Sequence, residues 1–456
     1  MAPMDPIALL RSRSYIVLLV FGAIIGIPIA VIAYFFLKVV AESQHWVFAT
    51  LPLDLGFSST PAWWPLPVLA LAGLIVAATI HYLPGTGGHE PADGFKSDGA
   101  PTAIELPGIV IAALVTLALG VVLGPEAPLI AIGAGFAVLV VHVVKKDAPA
   151  QATLVIGAAG SFAAISTLLG SPLLGAFLLM EVVGIGGPVL GVVLVPGLLA
   201  AGVGALIFLG LDNVTGFGTF SLAVPDLPAF THLNGWEFLW AIGIGLMAAV
   251  VGTGIRRGAR YLGPLVARRR LLLTPLVGAA IAVAVIVFAQ SYPSHGAVYV
   301  LFSGQDFMAS LVDNAAAWSV GALVLLVICK GVAYSLSLSS FRGGPTFPGM
   351  FIGAAGGLAL SHVGGLPPIA GVAMGMGAMT VTMLGLPLTS VLLTAAFLQA
   401  DAVTLMPLII VAVVVAYVAS AWLGPAPADP VAPADSADPA IPATADPPAS
   451  AAPVPS

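Results

Sequence analysis

The chain is a nearly continuous series of apolar runs, and the points where those runs are cut set the tightest limit on its fold. Fourteen runs lie near residues 15–41, 62–83, 106–123, 128–144, 152–169, 172–187, 188–211, 236–255, 271–290, 315–341, 348–363, 366–385, 388–400 and 402–423. A helix that crosses a bilayer needs about 20 such residues. Several runs are shorter and end at Gly124-Pro125, Gly187-Pro188, Gly344-Pro345 or Leu386-Pro387. Backbone freed by such breaks survives at membrane depth only where it lines a cavity or is buried in protein. Short, interrupted segments therefore predict half-helices and broken helices that meet inside the bilayer.

With 59% apolar and only 7% charged residues, a soluble domain of 456 residues is excluded, and the predicted fold class is an all-α polytopic membrane protein. A lone cysteine, Cys329, excludes an internal disulfide framework. The first run follows Arg11 and Arg13 and is too long for a signal peptide, so it reads as the first span. Arg256, Arg257, Arg260, Arg268, Arg269 and Arg270 crowd one connection near mid-chain, and Lys145-Lys146 another. The positive-inside tendency places these connections and the N-terminus in the cytoplasm, and the protein in the plasma (inner) membrane. Residues 1–14 read as a cytoplasmic N-terminus and 15–424 as one transmembrane domain with halves at about 62–255 and 271–424. Residues 425–456, almost wholly Ala, Pro, Asp, Ser, Val and Thr, cannot bury a core and read as a disordered tail.

The halves are suggested by an internal match. Gly124-Pro125-Glu126-Ala127-Pro128 through Ile132-Gly133-Ala134 aligns without gaps on Gly344-Pro345-Thr346-Phe347-Pro348 through Ile352-Gly353-Ala354. The shared pattern is G-P-x-x-P-x-x-x-I-G-A, and Gly160…Pro172-Leu173 and Gly375…Pro387-Leu388 follow in the same order. Repeated halves are a common transporter architecture with the substrate at their interface. In each copy the second proline suits the first turn of a helix, where its missing N–H costs nothing. The turn before it can aim N–H groups and the positive helix end at one point. Two such ends facing each other would hold an anion without a full positive charge, weakly enough to release it.

Between Glu105 and Lys145 the only formally charged side chain is Glu126, inside the first copy of this motif. An ionisable group within a membrane segment marks function. Beside an anion site, Glu126 can occupy it as a tethered anion and leave when protonated, which makes it a gate and a proton acceptor. Its counterpart, Thr346, can donate a hydrogen bond but cannot titrate. A third glycine-rich loop, Gly85-Thr86-Gly87-Gly88-His89-Glu90, could offer a hydroxyl and bare N–H groups to an anion, although such loops are more often plain turns.

In this order and spacing the motifs resemble those of the CLC family of chloride channels and chloride/proton exchangers. The first loop resembles the family's G-S-G-I-P-E, Gly124 to Pro128 its G-[KR]-E-G-P, and Gly343 to Pro348 its G-G-I-F-A-P. Ser171-Pro172-Leu173-Leu174-Gly175 through Glu181 resembles N-A-P-L-A-G…E-E, and Pro387-Leu388-Thr389 the late P-L-T. The resemblance covers roughly residues 15–424 and implies a CLC-like fold of two inverted-repeat halves with broken and re-entrant helices. It further implies a homodimer with one pore per subunit, chloride as the expected anion, protons as a possible second substrate, and no cofactor. Carried onto this chain, Glu126 is the gating glutamate. Thr86 with Gly87 and Gly88, the backbone at Ala127, and the backbone at Thr346 and Phe347 are the anion-binding residues.

The departures are as informative. The second acid of the E-E pair, an internal proton-pathway residue in the family's exchangers, is here Val182. The tyrosine expected on a final helix has no match after Gly424. Both losses favour channel-like or weakly coupled transport over tight proton exchange. Pro125 and Pro345 each remove one backbone donor. His89 stands where the family has proline and could add a donor. Lys330 inside an apolar run is expected to pair with an acid or to reach an interface, with an anion role as the alternative. Arg342 beside the second loop could concentrate anions or anchor a helix end. Trp63 and Trp64 read as an interfacial aromatic belt. An intramembrane hydrolase would need a nucleophile with its base or an H-E-x-x-H set, and His89-Glu90 has no second histidine at that spacing. No catalytic or metal-binding residues are expected. A cation carrier would want more intramembrane acids than Glu126 and Glu181.

Overall fold

The structure, a computed structural model, describes residues 11–94, 99–183, 188–216 and 234–424. Fourteen principal helices follow one another: α1 Arg13–His45, α2 Pro65–Tyr82, α3 Leu106–Ala118, α4 Glu126–Val144, α5 Ala150–Leu169, α6 Pro172–Val183, α7 Pro188–Thr215, α8 Gly235–Arg268, α9 Arg270–Ser291, α10 Val320–Ser340, α11 Thr346–Ser361, α12 Pro368–Leu384, α13 Pro387–Leu398 and α14 Ala402–Leu423. Among the described residues nine helices are long and apolar enough to cross a membrane, and α3, α6, α11, α12 and α13 are shorter apolar helices. The chain is a multi-pass integral membrane protein. Its outer faces carry exposed apolar side chains, such as Val17, Val20 and Ile24 on α1 and Leu239, Ile242 and Leu246 on α8, which suit lipid as solvent.

The repeat is visible as geometry. α4 packs on α5, and α11 on α12. In each pair the conserved-pattern glycine makes the crossing possible: a Cβ at Gly133 would fall on the Gly160 carbonyl, and one at Gly353 on the Gly375 carbonyl. The glycines matched between the halves are therefore points of backbone-to-backbone approach, as in small-residue membrane interfaces. Pro172 and Pro387 each open a short helix, α6 and α13, where proline is well tolerated. At Gly124 and Gly344 the two halves pair through an isolated antiparallel bridge.

Three expectations need correction or relocation. The arginine-rich connection is mostly helix: Arg256, Arg257, Arg260 and Arg268 belong to α8, and Arg269 alone separates it from α9. Arginine is a good helix former with a long stem, so the apolar run ends earlier than the helix does. Trp64 is no belt residue; it is 7% exposed and its indole donates to the Val47 carbonyl at 2.9 Å, while Trp63 stays exposed. The Gly187-Pro188 break, residues 1–10 and the tail from Pro425 lie partly or wholly outside the described residues.

Glu181 ends α6 in a way that ties the halves together. Its carboxylate accepts from Leu388 N at 3.0 Å, Thr389 N at 2.7 Å and Thr389 Oγ1 at 2.6 Å, capping the N-terminus of α13. Replacing Glu181 by Ala is expected to cost about 1–3 kcal/mol of stability and to leave the dependence of transport on Glu126 intact. Loss of proton movement at unchanged thermal stability would instead make Glu181 a relay.

Candidate functional site

Helices α4 and α11 start at Glu126 and Thr346, each directly after a proline N-cap. Pro128 and Pro348 fall in the first turns, as the repeat requires. The turns before them pair through Gly344 N to Gly124 O at 2.6 Å and Gly124 N to Gly344 O at 2.8 Å. Two helix N-termini are thereby fixed against each other in the protein interior, each with its first N–H groups free of intrahelical partners.

One of these ends is filled. Glu126 is fully buried, and its Oε1 accepts from Thr346 N at 3.1 Å and from Phe347 N at 3.0 Å. A side chain of the first half thus lies on the helix end of the second, as a carboxylate held by amides and a positive dipole. The remaining oxygen, Oε2, and the Thr346 hydroxyl are buried without hydrogen-bond partners. The bridging glycines leave room for this: a Cβ at Gly124 or Gly344 would overlap the Glu126 carboxylate. Ala127, next along α4, is partly buried.

The first loop is attached to this centre by a cation rather than by its hydroxyl. Thr86 is exposed, sits at φ 49° between positive-φ Gly85, Gly87 and Gly88, and presents its carbonyl to Arg342 Nε at 3.1 Å. Arg342, 4% exposed in the loop between α10 and α11, also donates to Phe341 O at 3.2 Å and to Glu90 Oε1 at 3.3 Å. Burial pushes its guanidinium down to about 10, Glu90 opposes that shift, and the group stays charged at neutral pH. Arg270 reaches the same Glu90 oxygen at 3.6 Å, so the first loop lies at the basic end of the molecule. Arg342 is a clasp between loops. His89, partly buried, follows in the first loop.

Lys330 meets neither an acid nor an interface. Fully buried, its ammonium donates to the carbonyls of Tyr299 (3.0 Å), Val300 (3.2 Å), Leu301 (3.1 Å) and Phe302 (3.2 Å), and lies 4.6 Å from the Phe351 ring centroid. Two further α10 residues hold the backbone of the loops that precede the two helix ends, and both escaped the sequence reading. Tyr334 donates to Pro345 O at 2.5 Å, and Ser337 Oγ accepts from Val122 N at 3.2 Å. Lys330, Tyr334 and Ser337 recur at i, i+4 and i+7 of a largely apolar helix, a spacing that puts them on one face. That spacing was the available signal.

Comparison with known proteins agrees with this architecture. The family described as voltage gated chloride channel matches residues 95–421. YfeO of Escherichia coli O139:H28 (strain E24377A / ETEC), whose name marks it as a candidate ion-transport protein, is 28% identical over 360 residues, covering 78% of this chain and 82% of its own. YfeO of Salmonella newport (strain SL254) is 26% identical, with 78% and 84% covered. Among solved structures, a slow cyanobacterial Cl-/H+ antiporter superposes with a TM-score of 0.71 at 19% identity, covering 90% of this chain and 95% of that one. A CLC-type fluoride/proton antiporter gives 0.63 at 20%, with 89% and 95% covered. Short broken helices, matched halves and a family match over most of the length converge, and the chain belongs to the voltage gated chloride channel family, the CLC proteins, a family of anion transporters and channels rather than enzymes.

Proposed function

We propose that the protein moves chloride or a similar small monovalent anion across the membrane, gated by Glu126 and either channel-like or weakly coupled to protons. The observation that carries this reading is the Glu126 carboxylate on the amides of Thr346 and Phe347. A carboxylate there marks a place where a free anion is stabilised, and it blocks that place while it stays. Protonation removes the charge that the amides and helix dipole favour, so the side chain is released and an anion enters. Weak coupling follows from the other end of α6. Val182 cannot titrate, and the Glu181 carboxylate is taken up by Leu388 N, Thr389 N and Thr389 Oγ1 at the start of α13, away from a relay position.

A tightly coupled chloride/proton antiporter is the second reading, supported by the two antiporters that share the fold. We further read the protein as a homodimer of the inner membrane, with one pore per subunit and the Arg270 end in the cytoplasm, and residues 15–424 as its transport domain. The test is chloride efflux from proteoliposomes with external pH recorded, for wild type and Glu126→Gln. Fast efflux without proton movement supports the channel-like reading, with the variant open at all pH values. Uphill proton uptake abolished by the substitution selects the antiporter. Absence of flux in chloride, nitrate and fluoride from folded protein would sink anion transport altogether.

A further inference from the structure

We propose that Tyr334 is a positioning residue for the anion site, acting through the single peptide unit that joins Pro345 to Thr346. The inference rests on the reading of Thr346 and Phe347 as anion donors. The Tyr334 hydroxyl, fully buried on α10, donates to Pro345 O at 2.5 Å. The nitrogen of that same peptide unit is Thr346 N, which donates to Glu126 Oε1 at 3.1 Å. No cis peptide occurs among the described residues, so carbonyl and N–H of this planar unit point in opposite directions. Holding the oxygen from one side aims the N–H to the other.

The chain O–H···O=C–N–H···O also polarises the peptide between its two bonds, which strengthens the N–H as a donor. A proline at the N-cap contributes no N–H of its own, so each remaining donor at this helix end carries more of the binding. The device belongs to one half. At the separation that pairs Gly124 with Gly344, Tyr334 falls on Leu114, which has no hydroxyl to offer Pro125. The face that carries Tyr334 holds the other gate loop as well, through Ser337 and Val122 N. Ser337 does not act through a donor amide of the site, which makes it the natural control.

The experiment compares Tyr334→Phe and Ser337→Ala, each in a Glu126→Ala background where the site is open to chloride. Tyr334→Phe is expected to raise the chloride Kd by calorimetry and the KM for flux about three- to ten-fold, with maximal flux unchanged and a thermal midpoint lowered no more than in Ser337→Ala, since each variant strips one buried backbone group of its partner. Ser337→Ala is expected to leave the Kd unchanged. In protein with Glu126 intact, the labelled Thr346 amide proton should move upfield in Tyr334→Phe as its hydrogen bond weakens. Equal loss of affinity in both variants would reduce Tyr334 to general packing of α10 and overturn the inference. So would an unchanged Kd and an unmoved Thr346 amide. If the Glu126→Ala protein binds no chloride at all, it is the anion reading that fails.

Discussion

Gly344→Ala is expected to open the transport path at alkaline pH, where the proposed gate, Glu126, would hold the wild type shut. The backbone at Gly344 is not in the positive-φ region, so alanine is acceptable to the chain itself. What alanine cannot share is the space: its Cβ would coincide with Oε2 of Glu126, and the same holds for a Cβ at Gly124. The carboxylate must give up its bonds to Thr346 N and Phe347 N. Hydrogen bonds to a charged group are worth about 1.5–3 kcal/mol each, so losing both removes about 3–6 kcal/mol from the closed state and should raise the open fraction by roughly a hundred-fold or more, until it saturates. Chloride efflux measured between pH 6 and 9 reads this as a flattened pH profile. In wild type the flux is expected to fall as pH rises, because the ionised carboxylate is the form the amides would retain. Combining Gly344→Ala with Glu126→Ala should add nothing, since the clash and the gate are one interaction. A folded Gly344→Ala protein with wild-type pH dependence would show that Glu126 does not close the path.

Much of this site could be read from the residues. The gapless match of Gly124–Ala134 on Gly344–Ala354 predicted two helix ends facing each other, and the bridge and the paired helix starts have that arrangement. It was legible because proline and glycine act locally: Pro125 and Pro345 fix where a helix begins, and Gly133 and Gly353 fix how closely a neighbour packs. The partners of long polar side chains were not legible. Lys330 was expected to seek an acid, and Arg342 was open between concentrating anions and anchoring a helix end. Both bind backbone carbonyls of segments far away in sequence, and carbonyls leave no trace in a sequence because every residue has one. The extension of α8 through Arg256 and Arg260 was missed for a related reason. Hydropathy reports where lipid ends, whereas a helix continues as long as its residues favour it.

Lys330→Met is expected to destabilise the protein by about 2–4 kcal/mol. Methionine matches the length of the lysine stem and can keep its packing against Phe351, so the change isolates the ammonium. Four carbonyls, from Tyr299 to Phe302, then face a buried apolar sulfur with no donor. The loop they belong to holds Phe302 at φ 58° and is joined to the first gate loop by Phe302 N to Gly120 O at 3.3 Å. Weakening it should therefore lower the thermal midpoint and raise the KM for chloride modestly, as an indirect effect. Lys330→Ala carries a sharper test, because it leaves both the carbonyl cradle and a space where the stem lay. Methylammonium at millimolar concentration should restore part of the lost midpoint in that variant, and tetramethylammonium, which has no N–H to donate, should not. The opposite pattern is equally clear. If Lys330→Met keeps its wild-type midpoint while chloride affinity collapses, the ammonium is an anion ligand, and the carbonyl cradle is not what it serves.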